Sequence, residues 1–298
     1  MLKLENVTKN YGELIAVDHL NFEVQPGEIF GLLGLNGAGK TTTFRMILNL
    51  FSPNEGVVYY NGKKMSYDQS DSVGFLSEER SLLTKMTVKE QIIYYGRLKG
   101  KTEAEIVTSL KYWLERFKVP EYENKKIKEL SKGNQQKIQF ISAIVHDPKL
   151  LILDEPFSGL DPINVELFKE VILEFKNKGA AIIFSSHRME HVEMFCEKLV
   201  ILVKGRNILS GYIKDIKENY KRQNVIIRGS VDIEAIEKVA GVEKVIVHQN
   251  EIEVKITNKS YVKNIFDAIR NVDDITMFDV RLPNLNEIFI AKVGESYE

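Results

Sequence analysis

Over the first 215 residues, short and continuously apolar runs alternate with segments whose apolar residues recur every third and fourth position. That is the pattern of a parallel sheet covered by helices on both faces, an α/β layout. Ile29-Phe30-Gly31-Leu32-Leu33, Leu150-Leu151-Ile152-Leu153 and Ala181-Ile182-Ile183-Phe184 contain no alternating polar positions, so each is expected as a strand buried on both sides. A helix is expected to open at Lys40, with Phe44, Ile47, Leu48 and Phe51 on its core face and Pro53 and Gly56 marking its end. Thr87 with Glu90 and Thr102 with Glu105 have the spacing of capping boxes. Residues from about 72 to 146 therefore read as a largely helical insertion.

Residues 214–223 are polar and charged with no core face, and 216–223 read as a linker between a domain at 1–215 and a smaller one at 224–298. Asn224-Val225-Ile226-Ile227-Arg228 reads as a strand, and Ile233, Ile236 and Ala240 line a short helix. Val245-Ile246-Val247 and Ile252, Val254, Ile256 read as two strands joined at Gln249-Asn250. Val262, Ile265, Phe266 and Ile269 share one face of a second helix, and residues 275–282 form a fourth strand. The order βαββαβ is that of a ferredoxin-like split fold, so the second domain is expected as α+β. Residues 224–298 show no clustered polar site in the sequence.

Composition narrows the partners. Charged residues are 28% and the formal net charge is −1, which gives no electrostatic reason to expect nucleic acid as a partner. The single cysteine, Cys196, has no internal partner and reads as a small buried hydrophobe. The first residues lack the apolar core of a signal peptide. No apolar run approaches the ~20 residues needed to span a bilayer. The chain itself is expected to be soluble.

The chemistry lies in motifs of fixed order. Gly34-Leu35-Asn36-Gly37-Ala38-Gly39-Lys40-Thr41 follows a strand and opens a helix, the context of a phosphate-binding P-loop. Its glycines let successive backbone N–H groups approach phosphate oxygens, as Gly34, Asn36, Gly37, Ala38 and Gly39 would. Lys40 would neutralise the β- and γ-phosphates, Thr41 would offer its hydroxyl to Mg²⁺, and Thr42 follows in the same turn. Asp154 ends an apolar strand where a carboxylate can reach that metal, and Glu155 is placed to act as general base on the attacking water. His187 closes another apolar strand and could hold the water and Glu155 in register with the γ-phosphate. Ser131 is expected to cap a helix running to about His146, and with Gly133 it offers a second anion site. An ordinary capped helix is the alternative there. Two anion sites in one chain suggest that the second covers the γ-phosphate held by another copy.

Taken together, the P-loop, Leu130-Ser131-Lys132-Gly133-Asn134-Gln135-Gln136, Leu150–Pro156, Ser158-Gly159-Leu160-Asp161 and the strand-end His187 resemble the nucleotide-binding subunit of an ABC transporter over residues 1–215. The resemblance implies a P-loop ATPase cassette with a helical subdomain at about 72–146, ATP and Mg²⁺ as cofactors, and a head-to-tail homodimer with two ATP between its copies. It also implies a separate membrane-spanning permease and a cytoplasmic position on the inner face of the cell membrane. Tyr11 matches the aromatic that stacks on adenine, and Asp161 the residue that links the two sites across the dimer. Lys132 and Asn134 depart from the usual L-S-G-G-Q, while Ser131 and Gly133 remain. Glu78 stands where a glutamine normally approaches the metal. The form L-S-K-G-N-Q-Q-K, Glu78-Glu79-Arg80 and Leu285-Asn286-Glu287-Ile288-Phe289 are similar to bacterial export-type subunits of sodium-, drug- or peptide-efflux systems. A soluble ABC ATPase acting on ribosomes or DNA, and a ligand-sensing regulatory module, are the rival readings.

Overall fold

The computed structural model describes residues 1–295, which form two compact units, one of Met1–Ser210 and a second that begins at Gly211. The strands of the first unit are β1 (Leu2–Tyr11), β2 (Leu14–Val24), β3 (Ile29–Gly34), β4 (Glu55–Tyr60), β5 (Lys63–Lys64), β6 (Val73–Leu76), β7 (Leu150–Asp154), β8 (Ala181–Ser185), β9 (Lys198–Val203) and most of β10 (Arg206–Tyr212), whose last residues, Gly211 and Tyr212, open the second unit. Its helices are α1 (Lys40–Ile47), α2 (Val88–Leu98), α3 (Glu103–Arg116), α4 (Lys132–Ile144), α5 (Pro162–Asn177) and α6 (Met189–Phe195).

The central sheet has the order β10-β9-β3-β8-β7-β6, with β9, β3, β8, β7 and β6 mutually parallel. Every residue of β3, β7 and β8 is buried, as continuously apolar strands covered on both faces require. A second, antiparallel sheet of order β2-β1-β4-β5 differs from the single parallel sheet that the apolar runs suggest. The cause is local: Gly12-Glu13 is a two-residue turn with Gly12 at φ +60°, and such a turn joins only antiparallel neighbours. The insertion at 72–146 is not helical from its start either, because β6 extends the central sheet beside β7 before α2 begins.

Both capping boxes form, with Thr87 and Thr102 accepting from the backbone of Glu90 and Glu105. The helical insertion packs on α5 through aromatic rings. Phe140 of α4 stacks on Phe168 of α5 at 4.9 Å, Phe117 meets both edge-on, and Trp113 of α3 stacks on Phe175 at 5.6 Å. Each such pair is worth about 0.5–1.5 kcal/mol beyond the area it buries.

His146 sits at the seam between α4 and β6, buried, with Nε2 bonded to the Val73 carbonyl at 3.2 Å. Burial, then the nearby Lys99 and Lys101, push it down to about 4, against opposing pulls from the Val73 carbonyl and Asp71. The unfolded chain therefore binds a proton that the folded one refuses between pH 6.5 and about 4, so this stability is present above pH 6.5 and lost as pH falls. Urea unfolding at pH 7 and pH 4.5 should show His146→Gln losing about 2–3 kcal/mol less than the parent chain. Equal losses would remove His146 from the acid response.

The second unit comprises α7 (Ile213–Glu218), β11 (Gln223–Arg228), α8 (Ile233–Glu237), β12 (Val242–Val247), β13 (Ile252–Ile256), α9 (Val262–Ile269), β14 (Met277–Arg281) and α10 (Leu285–Glu295). The sheet order β12-β13-β11-β14, antiparallel throughout, is the ferredoxin-like arrangement. Two details correct the sequence reading. Part of the expected linker is helix α7, anchored by buried Ile213, and β11 already begins at Gln223. Phe266 and Ala240 face solvent, while Ile236, Ile265 and Ile269 make the core contacts.

Helix α10, with Leu285, Ile288 and Phe289 buried, has no counterpart among the expected elements. On it Glu287 accepts from Asn224 Nδ2 at 2.9 Å and from the Asn284 backbone at 3.0 Å, and pairs with Lys255. Glu287, Asn224 and Lys255, with Tyr220, Arg222 and Lys244, line a crevice of about 410 Å³. A clustered polar site thus exists in this unit, assembled from residues far apart in sequence.

Candidate nucleotide site

Strand β3 ends at Gly34 and α1 begins at Lys40, so the loop between them is short and tightly turned. Gly34 has φ +152° and Gly39 φ +107°. A Cβ at Gly34 would lie 2.5 Å from the Leu202 carbonyl oxygen, and one at Gly39 would run into the Ala16 carbonyl. Glycine is needed at both for space as well as for conformation. Lys40 Nζ donates to the carbonyls of Gly34 at 2.7 Å and Leu35 at 3.2 Å, which lays the ammonium along the loop. Thr43 Oγ1 donates back to the Gly39 carbonyl at 3.0 Å, so the hydroxyl consumed in the turn is Thr43's, with Thr41 exposed and Thr42 half-buried beside it.

The acids come from the ends of neighbouring parallel strands. Asp154, last in β7, accepts from Ser185 Oγ at 2.5 Å across the β7–β8 pair. Burial pushes its carboxyl above the usual carboxylate range; the Ser185 hydroxyl and Lys40 pull it back, and Glu78 and Glu155 push it further up. Glu155 has a left-handed backbone, φ +50°, which turns its side chain away from the direction Asp154 takes. Its Oε1 accepts from the His187 backbone N–H at 2.5 Å and lies 2.9 Å from His187 Nδ1; its Oε2 accepts from Ser186 Oγ at 3.2 Å. The Glu155 carboxylate is almost fully buried while the His187 ring is 72% exposed. A held carboxylate beneath an exposed imidazole can accept a proton from a water and orient it.

A cleft of about 540 Å³ gathers Tyr11, Asn36, Gly37, Ala38, Gly39, Lys40, Thr41, Thr42, Glu78 and Asp154. Tyr11 stands at its rim, half exposed and edge-on to Phe51 at 6.2 Å. Glu155 and His187 do not line this cleft; Glu155 follows Asp154 directly, its backbone N–H donates to the Ser185 carbonyl at the end of β8 at 3.1 Å, and its carboxylate holds His187 just beyond that strand. Ser131, Gly133 and Asp161 do not line this cleft. Ser131 caps α4, its Oγ accepting from Asn134 N at 3.4 Å, and Asp161 caps α5, accepting from Asn164 N at 2.9 Å. That backbone bond, outweighing some desolvation and joined by the Asn164 side chain, holds the Asp161 carboxyl below its ordinary range. Gly133 faces Leu160 and Asn164, so the Ser131–Gly133 helix end and the turn before α5 form one exposed patch.

Sequence reasoning missed the buried glutamines around the Glu78 loop. Gln139 of α4 donates from Nε2 to the carbonyls of Ser77 at 3.0 Å and Glu79 at 3.1 Å. Gln91 of α2 accepts from Leu83 N at 2.7 Å and donates to Ser142 Oγ at 3.1 Å. Nothing in their spacing distinguishes them from surface glutamines.

Oxygen donors only, from Thr41, Asp154 and Glu78, would suit a hard cation such as Mg²⁺. Among the described residues no three acidic, imidazole or thiol groups converge to hold a metal by themselves. The protein donors are therefore an incomplete shell, as expected for an ion that is also coordinated by phosphate and water. The buried Asp154 carboxyl, with its raised proton affinity, is the kind of group that a cation would return to the ionised form.

Fold and cleft define a P-loop nucleotide-binding cassette with an appended α+β unit. Residues 17–158 match the family model described as ABC transporter, and 211–293 match the one described as ATP-binding protein DrrA1-3-like, C-terminal domain. The chain is 49% identical over 298 residues to the uncharacterized ABC transporter ATP-binding protein YhaQ of Bacillus subtilis, covering 100% of both chains. It is 30% identical to Nod factor export ATP-binding protein I of Rhizobium leguminosarum bv. viciae, covering 100% of this chain and 96% of that one. A solved ATP binding subunit of an ABC transporter superposes with TM-score 0.69 at 31% identity, over 74% of this chain and 93% of the other. The chain belongs to the ABC transporter ATP-binding proteins. It is an ATP-binding ATPase subunit, and subunits of this family work with a membrane permease. No helix among the described residues is long and apolar enough to cross a membrane.

Proposed function

We propose that two copies of the chain bind two ATP molecules head to tail and that hydrolysis drives export through a separate permease on the inner face of the membrane. The observation that supports the dimer is the separation of two half-sites. Lys40 and its loop line one cleft, whereas the Ser131–Gly133 helix end is exposed and lies outside it. In a head-to-tail pair the Ser131 hydroxyl and the N–H groups near Gly133 of one copy would cover the γ-phosphate held by Lys40 of the other. Asp161, adjoining that patch, would join the two sites, and Tyr11 would stack on adenine.

Within each site Thr41 and Asp154 would hold Mg²⁺, with Glu78 approaching from the loop after β6. Bound Mg²⁺ would neutralise phosphate charge. Glu155 would accept the proton of the attacking water, and His187, tied to the same carboxylate, would place that water and donate toward the γ-phosphate. Export is supported by the similarity to Nod factor export ATP-binding protein I of Rhizobium leguminosarum bv. viciae.

Tagged Glu155→Gln protein, pulled down with ATP from gently solubilised native membranes, tests the machine. Stoichiometric recovery of a multispanning membrane protein is expected. Recovery of ribosomes or nucleic acid instead would assign the ATPase to another job.

A further inference from the structure

The loop carrying Glu78 follows a strand of the central sheet, yet its bonds run to the helical insertion. Gln139 Nε2 brackets Glu78 by donating to the carbonyls on either side, Ser77 and Glu79, and lies 3.4 Å from Ser77 Oγ. Tyr95 Oη of α2 donates to the Ser81 carbonyl at 3.0 Å, and Gln91 takes the Leu83 N–H while donating to Ser142 on α4. Gln139 is buried, and its Oε1 has no hydrogen-bond partner. An unpaired buried amide oxygen costs on the order of 1–3 kcal/mol. Three acceptors fix which end of the amide faces the loop. The geometry is bought for the loop, not for Gln139.

We propose that Gln139 is a positioning residue that registers the Glu78 carboxylate to helix α4. This rests on the nucleotide-site reading above. Glu78 lines the cleft with Thr41 and Asp154, so a shift of its backbone moves its carboxylate relative to the metal-binding end of the site. Gln139 is also eight residues, about 12 Å of helix, from Ser131 on the same rigid element. Movement of the end that meets the partner's nucleotide is therefore carried to Glu78 as well. Each site can sense the occupancy of the other through one helix.

The test uses the full chain in a Glu155→Gln background, with Mn²⁺ in place of Mg²⁺ so that metal bound with ATP is counted by electron paramagnetic resonance. Gln139→Met keeps the side-chain volume and removes the donor; Gln139→Glu keeps the shape and places oxygen against both carbonyls. Each should weaken Mn²⁺ binding with ATP about tenfold, leave ATP binding without metal unchanged, and speed amide exchange in residues 77–83. Glu78→Ala should weaken it similarly, and Glu78→Ala/Gln139→Met should be no weaker than Glu78→Ala alone, as groups acting through one another require. Multiplying effects, or Gln139 variants indistinguishable from the parent, would overturn the proposal. Failure of the parent chain to bind ATP at all would instead bring down the nucleotide-site reading and this inference with it.

Discussion

Glu155→Gln is expected to bind ATP like the parent and to lose roughly a hundredfold or more in turnover. The substitution is unusually clean here. Glutamine has the same length, tolerates φ +50° as glutamate does, and keeps an oxygen to accept from the His187 N–H. What it loses is the capacity to take a proton at Oε1 or Oε2, 2.9 Å from His187 Nδ1 at the closer atom. ATPase rate against ATP affinity, measured on the same preparation, separates the two effects. Near-normal turnover would strip Glu155 of the base role and turn attention to the solvent above His187.

Lys40→Met is expected to weaken ATP binding by about ten- to a hundredfold, since charge-assisted hydrogen bonds are worth ~1.5–3 kcal/mol each. The ammonium already lies along the loop, bonded to the Gly34 and Leu35 carbonyls, so it need only exchange those acceptors for phosphate oxygens. Titration calorimetry with ATP reads the change directly. Unaltered affinity would mean that the loop N–H groups alone hold the anion, and the lysine would lose its assigned role.

The strands that position these groups were legible because β3, β7 and β8 are buried on both faces and therefore apolar throughout. The motifs were legible because their chemistry depends on spacing within a single turn. Other features depend on long-range geometry and leave no local trace. The divergence of Asp154 and Glu155 rests on one left-handed residue. The Gln139 and Gln91 bonds join segments 60 and 51 residues apart. The antiparallel sheet was hidden because β1 and β2 bury only alternate stretches and do not read as core strands. Helix α10 was overlooked because its few buried residues, Leu285, Ile288 and Phe289, resemble any short apolar patch.

Trp113, the chain's one tryptophan, stacks on Phe175 between α3 of the insertion and α5 of the α/β layer. Lys178 Nζ lies 5.7 Å from its ring centre. Its emission colour and quenching therefore depend on how closely these two helices are pressed together. The molecule carries its own optical gauge of the insertion's tilt, read by selective excitation of the indole without any attached dye. Stopped-flow mixing with nucleotide would follow that tilt in time.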